Sequence, residues 1–198
     1  VANTNAPNGF QYFGRLEGGS PTEGLTPALV SSGDTNALGY GDLVMRTAGG
    51  YITKATVSTT TVPYGVFYGC SYLSTAISRV VFQNYWGGSG SGSDVSCLIC
   101  TDPQATFIAQ SDNTAITFAD IGANINFVTG TPNATTQMST MAVGQSLIST
   151  TNTLPFRIVG LLSQSSPPGT DGTDNASAYN RVIVQPNNWD RQSSLGIV

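Results

Sequence analysis

A chain of 198 residues fits one domain and is long enough to bury a core without metal or disulfide staples. Its net charge is −4 and only 9% of its residues are charged, against about 25% in globular proteins at large, while the hydrophobic share is an ordinary 39%. That balance excludes a grip on nucleic-acid phosphates, because the single lysine, Lys54, and the six scattered arginines form no basic arm or stripe.

In chain order, the opening "VANTNAPNGF" has neither a charged n-region nor an apolar h-region, so no export signal is expected. Residues 1–38 are rich in Gly, Pro, Asn, Ser and Thr and read as an extended N-terminal arm without its own core. Its aromatics, Phe10, Tyr12 and Phe13, are then expected to order in a groove on a neighbouring subunit. From residue 39 short runs of Val, Ile, Thr, Tyr and Phe alternate with Gly, Pro, Asn and Asp, the pattern of an all-β body over residues 39–185. "GDLVMRT" and "YITKATV" predict a hairpin across Ala48, Gly49 and Gly50. "YGVFYGCSYL", "AISRVVFQNYW", "DVSCLICT" and "ATFIAQSD" follow as strands, with further strands in "ANINFVTG", "TLPFRIVGLLS" and "NRVIVQP". About nine strands exceed the usual single sheet, so a two-sheet sandwich or jelly-roll-like body is expected. "ITFADIGAN" predicts one short helical turn, and "TQMSTMAVGQSL" has a weak helical spacing of Met138, Met141 and Leu147. Residues 186–198 form a C-terminal tail that contains Trp189 and ends in apolar residues.

Chemistry-bearing constellations are sparse. With no histidine, Ser-His-Asp and Cys-His sites are impossible within one chain. Asp102 and Asp112 belong to separate strand-like runs, "GDTN" lacks the glycine of an aspartic-protease signature, and no carboxylates converge in sequence, so no enzyme is expected. Cys97 and Cys100 match a Cys-x-x-Cys pair, but a tetrahedral metal site lacks further ligands. Residues three apart on a strand point to opposite faces, so these thiols read as buried small hydrophobes. "GTDGTDNAS", with Asp171, Asp174 and Asn175, departs from the twelve-residue calcium loop and reads as turn chemistry. No metal and no cofactor are expected. The tongue "GGSGSGSD" leads into a strand and lacks the Lys-Ser/Thr ending of a phosphate loop, so it reads as a flexible hairpin tip. At its base Tyr85 and Trp86 are either caps of the core or exposed anchors at a protein interface. No run approaches the length of apolar residues needed to cross a membrane as a helix. An uncharged surface rich in Gly, Ser, Thr and Asn loses little on desolvation against protein, which points to life inside an assembly.

The order "GYGDLVMRTAGGYITKA", "YGVFYGCSYL", "QNYW", "TDPQATFIAQSD", "IGANINFV", "LPFRIVGLL" and "NRVIVQPN" is similar to small head proteins of tailed bacteriophages that decorate or cement the capsid. That resemblance covers about residues 39 to 185. It implies a β-rich body that oligomerises as a dimer or trimer, assembles in the host cytoplasm and sits on the capsid exterior. The implied partner is the phage major capsid protein, whose neighbouring subunits it would bridge, with no catalysis and no cofactor. Interface candidates are Phe10, Tyr12, Phe13, Tyr85, Trp86 and Trp189. The competing expectation is a carbohydrate- or receptor-binding β module of a phage tail or cell surface, with Tyr72, Tyr85, Trp86 and Trp189 stacking on sugar rings.

Overall fold

The computed structural model describes residues 2–18, 24–162 and 173–192. The apolar chain end at 195–198 and Asp171 of the polar loop lie outside the described residues. The strands are β1 (Gln11–Arg15), β2 (Leu25–Leu29), β3 (Leu38–Gly39), β4 (Leu43–Arg46), β5 (Ile52–Lys54), β6 (Gly65–Ser74) and β7 (Arg79–Gln83) in the first half. The second half contributes β8 (Tyr85–Trp86), β9 (Gly92–Cys100), β10 (Ala105–Gln110), β11 (Asn124–Val128), β12 (Ala142–Ser149), β13 (Phe156–Leu161) and β14 (Arg181–Pro186). Helix is confined to two short 3-10 turns among the described residues, one of them Phe118–Asp120 within the predicted "ITFADIGAN".

The chain is an all-β sandwich. One six-stranded sheet runs β1-β10-β14-β13-β11-β12; the other runs β2-β9-β6-β4-β5, with β7 also paired to β6. A two-stranded ribbon, β3-β8, forms a third small layer. Between the sheets lies a core of Phe107, Phe127, Phe156, Ile158, Val182 and Val184 from the first sheet, packed with Leu43, Val66, Tyr68 and Cys100 from the second. The opposite face of the second sheet carries its own core, in which Phe67, Cys70, Tyr72, Cys97 and Ile99 pack with Leu38 and Trp86 of the ribbon. Consequently β6 is buried on both faces over much of its length, and its "GVFYGC" is a continuous apolar and glycine run without polar alternation. The predicted β4-β5 hairpin is present: Arg46 pairs with Ile52, and Gly50 turns the chain at φ 81°.

Two expectations are corrected. Residues 2–18 and 24–38 are not a coreless arm: β1 pairs with β10, β2 with β9 and β3 with β8. Phe10 is fully buried and stacks on Phe156 with ring centroids 4.6 Å apart, while Asn3 and Ala6 bond to Asp174 and Gln110. The "GLTPALV" stretch does carry a period of two, with Leu25, Pro27 and Leu29 on one face, and the proline fits an edge strand. Likewise, the described part of the tail is anchored: Trp189 is 1% exposed against Phe107 and Phe156, and Asp190 N–H donates to the Pro63 carbonyl. The stretch after residue 136, too rich in Ser, Thr and Gly to trust as a helix, contains β12, whose Val143 pairs with Phe127 on the core face.

The glycine tongue is held down. Ser89 N–H donates to the Asp34 carbonyl at 2.8 Å, and Gly88 is buried at φ 88° against residue 35. A Cβ at Gly88 would lie 2.6 Å from the Thr35 carbonyl oxygen. Gly88→Ala is therefore expected to lower stability by about 1–3 kcal/mol, seen as a lower urea midpoint with an unchanged slope. An unchanged midpoint would show the tongue free of this contact.

Asp42 is the polar centre of the fold. It is fully buried; Ser139 Oγ donates to Oδ1 at 2.6 Å, Gly39 N–H donates to Oδ2 at 2.8 Å, and Lys54 Nζ lies 3.5 Å from Oδ2. Lys54 also donates to the Gly130 carbonyl, so Asp42, Ser139 and Lys54 tie β4 and β5 to residues 130–139 across the sandwich. Burial pushes the Asp42 carboxyl above its ordinary range, against the pull of Lys54, Ser139 and Gly39. The folded chain then keeps this proton at a pH where the unfolded chain has released it. The stability Asp42 contributes is full below the unfolded value of 3.8 and is lost as pH rises through the folded value. Urea midpoints taken from about pH 4 to about pH 8 should show the difference between the natural chain and Asp42→Asn shrinking with pH. A difference that grows with pH contradicts this account of the site.

Candidate interaction surface

The second sheet is wider than the cover laid on it. On β9, Cys100 and Leu98 are two residues apart and so share a face. Cys100 is fully buried in the inter-sheet core whereas Leu98 is 46% exposed, so the first sheet's cover ends between them. Beyond that edge, β2, β9, β6 and β7 present an open face. Residues directly opposite in an antiparallel pair share a face. One row therefore runs Leu29, Ser96, Ser71, Phe82, and the next runs Pro27, Leu98, Gly69. Leu73 and Val80 are paired in the row on the far side of Phe82.

Two register shifts on the β6-β9 pair set which side chains emerge here. The shift between Phe67 and Gly69 lets Phe67, Cys70 and Tyr72 all point into the ribbon-side core, leaving Ser71 and Leu73 on the open face. Phe82 is 82% exposed and Val80 61%, with Leu29 at 55%. None of the positions in these rows is charged, and Arg79 pairs with Ser74 on the opposite face. Nine such positions, about 4.8 Å apart between strands and about 6.8 Å apart along them, give a face on the order of 300 Å² in plan, its apolar side chains interrupted by Ser71, Ser96 and Gly69.

The residues singled out from the sequence fall elsewhere. Trp86 is fully buried edge-on to Tyr72, Tyr72 is itself buried, and Tyr85 is half-buried. Phe10 and Trp189 belong to the inter-sheet core, and Tyr12 packs edge-on to Phe107. Of the six candidates only Phe13 is exposed, at 52%, and it lies on β1 of the other sheet. Asp102 is spent on an ion pair with Arg15 at 2.8 Å, and the Asp112 carboxylate accepts from the Thr114 and Gln145 N–H groups. Asp174 caps its own turn, accepting from Ala176 N–H and the Ser177 hydroxyl. Beside β2 runs a shallow groove of about 410 Å³ lined by Leu29, Arg46, Gly50, Tyr51 and Tyr64. Its guanidinium is already engaged, over the Tyr64 ring at 4.1 Å and with Asp190 at 2.8 Å.

What the sequence reading missed is the β7 pair Val80 and Phe82, together with Leu29 and Leu98. The alternation was there in "RVVFQ", but apolar residues at period two announce a face without saying whether another layer covers it. Comparison with protein-family models, curated proteins and solved structures found no match. The fold is an all-β sandwich in which, among the described residues, nothing covers the uncharged and largely apolar face of β2, β9, β6 and β7.

Proposed function

We propose that this protein is a structural virion component that binds the outside of a tailed-phage capsid and bridges neighbouring major capsid subunits. The observation that carries the reading is the open face of β2, β9, β6 and β7, uncharged and largely apolar, on which Phe82 is 82% exposed. Such a face fits a counter-surface that is itself apolar and uncharged. Its area is well under half of what one partner contributes to a standard stable interface of roughly 800 Å² a side. A single such contact is weak, so a lone soluble partner is poorly served by it. A repeating lattice is well served only by a binder that carries several copies of the face, because contacts linked in one oligomer multiply affinity without enlarging any one of them. Self-association into a dimer or trimer extends the same logic, and the resemblance of segment order to capsid decoration proteins agrees with it. The role needs no catalysis and no cofactor.

The second reading, a carbohydrate- or receptor-binding module, is favoured by the groove beside β2, where Tyr51 is 43% exposed. Co-sedimentation separates the two. Saturable pelleting with phage heads from the source of this chain, at a fixed ratio to the major capsid protein, is the expected result. No pelleting, together with retention on a glycan array, would replace the first reading by the second.

A further inference from the structure

The cysteine pair that matters is distant in sequence. Cys97 and Cys100 face separate cores, one on each side of the second sheet. Cys70 and Cys97, by contrast, are directly opposite each other on β6 and β9 and point into the same core. The Cys70 thiol donates to the Tyr85 carbonyl at 3.6 Å, and its nearness together with burial pushes the Cys97 thiol up. Directly opposed residues of an antiparallel pair have Cα atoms about 4.5–5.5 Å apart, inside the 4.4–6.8 Å span of a disulfide. Backbone pairing thus permits the bond, and both side chains lie in one core cluster.

We infer that Cys70 and Cys97 form an oxidative cross-link site that a low-molecular-weight disulfide such as oxidised glutathione closes into a cross-strand disulfide. One thiol displaces glutathione from its disulfide and becomes a mixed disulfide; the second attacks the protein sulfur and expels the other glutathione. The S–S bond of glutathione breaks, the Cys70–Cys97 bond forms, and the two thiol protons leave on two reduced glutathiones. With the Cys97 thiol so raised, the native fold reacts slowly while reducing conditions last. Closure would join the two middle strands of the half-sheet that bears the open apolar face, so a chain folded in a reducing compartment gains a staple outside it.

The test treats the full chain with oxidised glutathione in two arms, once folded and once while refolding from urea, so that the thiols also meet the oxidant before the core closes. Non-reducing tryptic mapping should show the peptide containing Cys70 linked to the one containing Cys97. The link should vanish in Cys97→Ser and persist in Cys100→Ser. The cross-linked chain should melt about 6–14 °C above the reduced one. Linkage that survives in Cys97→Ser, glutathione adducts without a link, or unmodified thiols in both arms would each overturn the inference.

Discussion

Phe82→Asp is expected to cut the affinity for phage heads by at least thirtyfold per site while leaving the fold intact. The side chain is 82% exposed on the edge strand β7, so its replacement changes stability by no more than about 0.5 kcal/mol. In the bound state the counter-surface would cover this position and strip it of water. There a carboxylate has neither water nor a partner charge, and the loss is of hot-spot size, about 2 kcal/mol or more. Leu98→Asp, one row away on β9, should act in the same direction. Asp at Ile77, which is 58% exposed in the turn after β6, should act more weakly because it lies outside the rows. Pelleting assays on the three variants, with urea midpoints as the control for folding, give the ranking. Full retention of binding by Phe82→Asp and Leu98→Asp would remove this face from the interface.

The second large effect concerns the N-terminal segment, and it is an effect on folding. Phe10→Ala should cost about 3–5 kcal/mol, because a fully buried ring stacked on Phe156 leaves a cavity the sandwich cannot close. For a domain of this size that is a fall in Tm of roughly 6–20 °C. Removing residues 1–38 altogether takes away β1, β2 and β3 together with Phe10, and is expected to leave no cooperative unfolding transition. An arm whose aromatics were seated on a neighbouring subunit would give the opposite outcome, a well-folded body that no longer binds shells. Thermal melts of the two variants distinguish these cases without any partner being present.

How far the sequence was legible depended on where the physics is local. Strand runs such as "YGVFYGC" and the Gly49-Gly50 hairpin were readable because β-branched and aromatic density and turn chemistry act over a few residues. The opposed faces of Cys97 and Cys100 followed from strand period alone. Where Phe10 and Trp189 bury was not readable, because their partners Phe156 and Phe107 lie far along the chain. For Trp86 the sequence left two roles open, a cap of the core or an exposed anchor beside the tongue. The ribbon formed with Leu38 makes it the lid of a second core, and the tongue is fixed by residue 34. The open face was least legible of all. Leu98 and Cys100 have the same pattern in sequence, and only the extent of the other sheet buries one and leaves the other half exposed.

The most direct test is a cryo-EM reconstruction of phage heads saturated with the purified protein. The account predicts symmetric density on the capsid exterior in which β2, β9, β6 and β7 turn their open face to the major capsid protein, with Phe82 and Leu98 at the contact. Density with that face directed to solvent, or heads that remain undecorated at saturating protein, would contradict it.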